Sequence, residues 1–420
     1  MVVSDKVKAR LAAIDPAAVN TGLLGILQEF KALSGPQTIQ SDLIAVGDAI
    51  FSTSLGIVAA RQVLDQLIAI LRSSNDDAVW IGVGDHLLQK LEDAAQHTSL
   101  LEQAAALYEL VATAHENNED YALAARRLAS IPLDSSQRRV SQEDKVRVWV
   151  RIVRDYLEVD DSTAAESYLN KLKGVIFDVH DQELNLHFKL SQARINDAKR
   201  EFLAASTAYH DISYSPAIGE EERLHTLSMA IKCAILAPAG PTRSRVLGRL
   251  YKDDRATGLV DEFSILEKMF LNRLLTPAEV DKFSKSLQPH QLATTADGST
   301  VLAKAVVEHN LLGVSLLYRN IPLDNLAKLL GQDAAKAEET TARMVEQGRL
   351  LGRIDQIEGL VYFEGGEASG VTGSGRTEGA VDKELRQWDV NVQSLAEEVE
   401  SISNALQQVY PGFVAQNLVV

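Results

Sequence analysis

The sequence predicts a mainly α fold: stacked helical hairpins, then a small winged helix, then one long C-terminal helix. Three observations carry this. Apolar residues recur at helical spacing from about residue 4 to 310, and strand alternation is scarce there. Small residues return about every forty positions, at Ala124 and Ala125, at Ala164 and Ala165, and at Ala205. Near the end, a helix and two short apolar runs precede a seam of apolar residues spaced 4, 3, 4, 3.

The hairpins come first. Residues 101–133 read as two helices with a polar turn at Glu116 to Asp120. Tyr121, Ala124, Ala125 and Leu128 line the second helix at i, i+3, i+4 and i+7. Residues 145–176 repeat the plan. Val148, Ile152 and Tyr156 line one helix; Ala164, Ala165, Tyr168 and Leu172 line the next. Residues 183–213 do so again, turning near Asn196, with Phe202, Ala205 and Tyr209 on the second helix. A single hairpin cannot bury its apolar face alone, so neighbours stack into a solenoid. Alanine at the crossings lets helices approach closely. The expected form is a right-handed, TPR/HEAT-like array, although the tetratricopeptide consensus is absent.

Residues 321–364 change character. In "LDNLAKLL", Leu326, Leu329 and Leu330 share a side, and Gly331 breaks the helix. Asp333 is a candidate N-cap for the next helix. That helix runs to Gln347, with Ala334, Ala337, Thr341, Met344 and Val345 inward and Gly348 as its C-terminal cap. Two apolar runs, Leu350 to Ile354 and Leu360 to Phe363, flank "DQIEG" and read as a hairpin. Helix then hairpin is how a winged helix ends. Residues 365–380 hold six glycines in sixteen residues and read as a flexible linker. In 381–410, Val381, Leu385, Trp388, Val392, Leu395, Val399, Ile402, Leu406 and Val409 form a seam of period 3.5. At 1.5 Å per residue this helix is roughly 43 Å long. Pro411 and Gly412 stop it.

Composition narrows the function. The chain has 420 residues, enough for two or more domains, with 46% hydrophobic and 24% charged residues. Its net charge of −16 repels phosphate backbones unless a basic patch intervenes. In the helix that would enter a DNA groove, Lys336 and Arg343 stand against Asp333, Glu338, Glu339 and Glu346. Arg349 and Arg353 add positive charge at the wing without forming a stripe. The balance argues for protein packing rather than nucleic acid. One cysteine excludes an intrachain disulfide and fits a reducing compartment. Cys233, in "AIKCAIL", reads as a small buried thiol. No stretch reaches the roughly 18 apolar residues of a membrane span, and the N-terminus lacks a signal-type apolar region. A cytoplasmic and nuclear location is expected.

Chemical motifs are missing. There is no phosphate loop, no dinucleotide fingerprint after a strand, no H-E-x-x-H and no G-x-S-x-G elbow. The densest acid and imidazole run is "FDVHDQELNLH", with Asp178, His180, Asp181, Glu183 and His187. A solvated helix cap explains it better than a metal site. No catalytic residue, cofactor or metal is expected.

A helical-repeat array ending in a winged helix and a long amphipathic helix resembles the PCI family. The runs "LSMAIKCAILAPAGPTRSRVLGRLYKDDRA" (227–256), "ILEKMFLNRLL" (265–275), "LQPHQLATTADGSTVLAKAVVEHNLLGVSLLYRNI" (287–321) and "AAKAEETTARMVEQGRLLGRIDQIEGLVYFE" (334–364) are similar to its signalosome branch. "PHQLATTADGS", "EHNLL" and "IDQIEG" separate that branch from the proteasome-lid one. The resemblance implies five parts: a helical-repeat arm over 1–220, the helical part of the PCI domain over 221–320, the winged helix over 321–364, a linker over 365–380 and a bundle helix over 381–410. It implies a non-catalytic scaffold and substrate-sensing subunit of the COP9 signalosome, which removes a ubiquitin-like modifier from cullins. The metalloprotease centre would lie in another subunit. Winged helices would pack edge to edge with other signalosome subunits, C-terminal helices would bundle, and the arm would reach the cullin–RING ligase. No nucleic acid or membrane is implied. Arg349, Arg353, Val361 and Phe363 are expected on the winged-helix contact surface, and the nine seam residues on the bundle. The alternative is a PCI subunit of the proteasome regulatory-particle lid.

Overall fold

A computed structural model describes residues 3–14, 19–35, 37–52, 55–93, 99–133, 140–294, 298–364 and 377–417, with side chains of the last two helices from 388 to 414. The chain divides into two compact units, Met1–Thr226 and Leu227–Val420.

The first unit is helical throughout its described residues. Short helices open it, followed by the pair Ile57–Ser74 and Asp77–Asp93. Three further hairpins follow: Leu101–Asn117 with Tyr121–Ala129, Gln142–Glu158 with Ser162–Lys173, and Gln182–Ala198 with Phe202–Ser213. The expected alanines sit at the crossings. Ala124, Ala125, Ala165 and Ala205 are fully buried, while Ala164 is half-buried. A larger side chain at the buried positions would force the helices apart. Tyr156 and Tyr168 stack with ring centroids 6.1 Å apart across one hairpin.

The three turns share one backbone solution. Glu119, Asp160 and Arg200 are left-handed, with φ of 64°, 60° and 64°. In each, the following amide closes the helix end: Asp120 N to His115 O at 2.8 Å, Asp161 N to Tyr156 O at 3.0 Å, and Glu201 N to Asn196 O at 2.8 Å. These are Schellman closures, which satisfy carbonyls the helix leaves open. Glycine is the usual residue there. Here the chain turns without it, so the surrounding packing holds a conformation that costs an L-residue about 1–2 kcal/mol.

Arginines join successive hairpins. Arg151 donates to Glu116 at 2.9 Å and to Thr113 Oγ1 at 3.1 Å. Arg194 donates to Glu158 at 2.8 Å and to Leu157 O at 3.2 Å. Each cation thus lies at the C-terminal turn of the preceding hairpin's first helix, where the helix dipole favours it. Asp155 lies fully buried beside this ladder, and neither of its oxygens has a donor. Burial first, then the Glu116 carboxylate, pushes its carboxyl up to about 7, against the opposing pull of Arg154 and Arg151.

The second unit begins within the helix Glu220–Leu236. Cys233 is fully buried there, as its apolar surroundings predict. The helices Pro241–Tyr251, Val260–Phe270 and Pro277–Ser284 follow. Tyr251 stacks on Phe263 and Phe270, at 5.7 and 4.7 Å. Thr276 and Glu279 form a capping box on the third. The helix Val301–Leu317 then leads into the winged helix, its start capped by Thr300, which accepts from Ala303 N at 3.1 Å. Within "PHQLATTADGS", Gln291 is fully buried, and residues 295–297 lie outside the described set.

The last long helix is Thr377–Val409, starting four residues before the expected 381. Thr377 to Ala380 are therefore helix rather than linker. The rest of the expected linker, 365–376, lies outside the described residues. Pro411 does stop this helix, but it also opens a short one, Pro411–Asn417, because its missing amide costs nothing in a first turn.

The buried Asp155 makes the arm's stability depend on pH. Its folded pKa lies above the unfolded value, so the folded state holds the proton more tightly. The stabilisation is complete below about 3.8 and is lost as pH rises through about 7. Asp155→Asn is expected to stabilise the arm at pH 8 by about 1–3 kcal/mol and to flatten the profile between pH 4 and 8. Tryptophan fluorescence melts will read this, since Trp80 and Trp149 are buried in the arm while Trp388 is already exposed.

Candidate functional site

The winged helix is built from five short pieces. Strand β1 is Asn320–Pro322, β2 is Gly352–Asp355 and β3 is Leu360–Phe363. They form an antiparallel sheet in the order β1-β3-β2, so β1 and β2 are its edges. The helices Leu323–Leu330 and Ala334–Glu346 lie between β1 and β2 in sequence. Leu326, Leu330, Ala337, Thr341 and Met344 are buried as expected, and Ala334 and Val345 pack partly buried against the same core. Leu329 is instead 42% exposed, and Ala327 takes the inward place. Asp333 holds the N-cap position with extended backbone, yet its side chain makes no capping bond. Gly348 is left-handed at φ 66°, and Arg349 N closes onto Met344 O at 2.9 Å. At Gly352 a Cβ would stand 2.7 Å from Tyr362 O, so only glycine fits that close strand approach.

A run of three polar side chains ties this domain down. Glu308, His309 and Asn310 are consecutive and buried in the helix Val301–Leu317. Each points to a different partner. Glu308 takes two guanidinium bonds from Arg349, at 2.5 and 3.1 Å, and accepts from Ala239 N at 3.1 Å. Arg349 also donates to Ala239 O at 3.0 Å. His309 Nε2 donates to Arg273 O at 2.9 Å, and its Nδ1 accepts from Arg243 at 3.3 Å. Asn310 accepts from Leu275 N at 3.0 Å. Arg243 is itself buried and donates to Ala237 O at 3.2 Å.

The electrostatics follow from burial. Desolvation, and then the nearby Arg243 cation, lower His309 to about 4, so it is neutral at physiological pH. That fixes the tautomer with the proton on Nε2, which suits both of its bonds. Burial lowers Arg243 to about 10, and Glu308 opposes the shift, so Arg243 stays cationic. The network therefore holds one anion, two cations and a neutral imidazole. It joins the loop before the helix Pro241–Tyr251, the loop after the helix Val260–Phe270, and the base of the wing.

The expected contact residues divide sharply. Val361 is fully buried and Phe363 is 7% exposed, so both belong to the core and not to a contact surface. Strand β3 alternates, and these two have the inward parity. Arg349 is not presented to a partner either, because its guanidinium is engaged with Glu308 and Ala239. Arg353 is exposed and lies over the Tyr362 ring at 4.8 Å, on the outer face of the sheet. The surface pair is thus Arg353 and Tyr362. Glu308, His309 and Asn310 escaped the sequence reading as the centre of a network. Their signal was three polar residues in a row inside an apolar helix, which a core accepts only when each is satisfied.

The seam is the second candidate surface. Trp388, Val392, Leu395, Val399, Ile402 and Val409 are 44–65% exposed, and Leu406 is half-buried. The side chains of Val381 and Leu385 lie outside the described residues. Over the described length, then, an apolar stripe runs along the helix with little of its own chain upon it.

Two kinds of feature are absent among the described residues. No group of three or more His, Cys, Asp or Glu is placed to hold a metal, and no helix is long and apolar enough to cross a membrane. Asp181 caps the helix Gln182–Ala198 by accepting from Glu183 N at 2.9 Å, and His187 lies 3.8 Å from Glu183. On the helix Ala334–Glu346, Arg343 is paired with Glu339 at 2.5 Å.

A helical-repeat arm followed by helices that carry a winged helix defines a PCI-domain protein. The model described as "PSMD12/CSN4, N-terminal" matches residues 26–221, and the PCI domain model matches 278–365. The COP9 signalosome complex subunit 4 of Neurospora crassa is 54% identical, covering 98% of each chain. Its counterpart in Emericella nidulans is 48% identical over 96% of this chain and 98% of its own. That of Drosophila melanogaster is 35% identical over 87% and 85%. The chain belongs to the COP9 signalosome subunit 4 family. These three relatives bear the signalosome name, not that of the proteasome lid.

Removing Arg349 strands the buried Glu308 carboxylate. Arg349→Met is expected to destabilise the winged helix by about 3–5 kcal/mol, and Glu308→Gln with Arg349→Met by clearly less than the sum of the single changes. Hydrogen exchange of the amides in 352–363 will show it. Additive costs within about 0.5 kcal/mol would mean that the two side chains are not coupled. Acid acts in the same place. His309 has a lowered folded pKa, so its stabilisation is present above pH 6.5 and lost as pH falls toward about 4.

Proposed function

We propose that this chain is a non-catalytic scaffold and substrate-sensing subunit of the COP9 signalosome, supporting removal of a ubiquitin-like modifier from cullins of cullin–RING ligases. The observation that carries the scaffold reading is the exposed seam. Apolar residues at every a and d position from Trp388 to Val409 are costly to leave in water, and each gains roughly 1.5–3 kcal/mol on full burial. Such a stripe is suited to a helical bundle with other subunits. The sheet gives a second contact. Its edge strands β1 and β2 offer backbone groups for pairing, and Arg353 of β2 and Tyr362 of the central strand β3 lie side by side on the sheet's outer face. The arm is the part assigned to the cullin–RING ligase, on the strength of family membership. The deneddylating metal centre is assigned to another subunit, and the chain to cytoplasm and nucleus.

The test is an affinity purification of the tagged chain, with deneddylation assayed on the eluate and on the purified chain alone. Activity in the eluate only, with signalosome partners, is the expected result. Copurification of the proteasome lid would overturn the assignment. Leu395→Asp places a charge at the centre of the seam, so the isolated variant should fold normally yet enter the complex at least about tenfold less well. Wild-type incorporation of this variant would remove the seam from the interface.

A further inference from the structure

The charges beside the seam specify what covers it. In the heptad frame, Val392, Val399 and Leu406 are a positions, and Trp388, Leu395, Ile402 and Val409 are d positions. The flanking e positions are then Asp389, Ala396, Ser403 and Tyr410. The flanking g positions are Asn391, Glu398 and Ala405. Two flanking positions are acidic, and none is basic. Glu397 and Glu400 add two more carboxylates on the same helix. From Gln387 to Val420 the sequence contains no lysine, arginine or histidine. Asp389, Glu397, Glu398 and Glu400 are all exposed.

In coiled-coil packing, e and g charges choose the partner. A second copy of this chain would bring carboxylates beside carboxylates with no cation at any flanking e or g position (Lys383 and Arg386, near the helix start, fall at f and b), and the chain's net charge of −16 adds to the repulsion. We propose that the seam is built to reject self-pairing and to accept a helix of another chain whose apolar stripe is flanked by lysine or arginine. The described seam spans 21 residues of rise from Trp388 to Val409, about 32 Å. The occupant is therefore a helix of at least three heptads. This inference rests on the reading of the seam as an interface, and adds the chemistry of the partner.

Two designed four-heptad peptides test it. They share the same a and d residues; one carries lysine at every e and g position, the other glutamate. Binding to the full-length chain is followed by fluorescence anisotropy. The lysine peptide is expected to bind at least about tenfold tighter at 50 mM salt, with the ratio falling toward one at 0.5 M. Asp389→Lys combined with Glu398→Lys should reverse the preference, and Leu395→Asp should abolish binding of the lysine peptide. Persistence of that binding in Leu395→Asp would mean general attraction to an acidic chain, and would overturn the proposal. Equal binding of the two peptides would also overturn it. So would a dimer of the wild-type chain in sedimentation that Leu395→Asp dissolves. Failure of both peptides would instead sink the interface reading on which the inference rests.

Discussion

The pair of buried Glu308 and part-buried Arg349 is the constraint on which the second unit of this chain depends. A carboxylate at this depth is costly unless it is fully answered, and here one guanidinium and one backbone amide answer it. The geometry is demanding. Arg349 reaches Glu308 only if Gly348 turns left-handed at the end of the preceding helix, and only if the loop at Ala239 comes to meet it. Its two neighbours add their own conditions. His309 requires the carbonyl of Arg273, and Asn310 requires the backbone of Leu275. Three consecutive side chains thus fix three separate loops around one helix. The sheet of the wing, with its open edges and its Arg353 and Tyr362, inherits its placement on the helix Val301–Leu317 from them.

The two units are held by different physics. The arm relies on repetition: buried alanines at crossings, the same left-handed turn three times, and an arginine reaching back to the previous hairpin. Each contact is local to its neighbours, so changes at one hairpin should be felt mainly at the next. The second unit relies on one concentrated polar network. Their responses to acid are opposite in sign. Protonation of Asp155 favours the folded arm, whereas protonation of His309 opposes the folded PCI unit. Both shifts are led by burial, so both groups titrate as consequences of packing.

Much of this was legible in the sequence because it follows from local rules. The repeat of alanines, the inward faces of the hairpin helices and the cap at Gly348 all come from spacing and backbone preference. The less legible parts need three-dimensional partners. Val361 and Phe363 read as surface candidates because a four-residue apolar strand gives no sign of which parity is inward; the sheet register decides it. Arg349 read as a free cation because its partner lies forty-one residues away, on another helix. Leu329 joined the wrong face because in an eight-residue helix the stripe can rotate by one position, and Ala327 fills the core instead. The helix start at Thr377 was hidden by glycine, whose low helix propensity was overridden at Gly379. The candidate seam was legible in full as a pattern, whereas its exposure could only come from the structure.

In the free chain the Glu308–Arg349 pair already holds the winged helix, while the seam from Trp388 to Val409 stands exposed. Hydrogen exchange of the full-length chain, free and within the assembled complex, tests it most directly. Strong protection of the amides around Glu308 and Arg349 is expected in both states, and protection across 388–409 only on assembly. Protection of 388–409 in the free chain at the level of the complex would contradict it, as would rapid exchange around Arg349 before assembly.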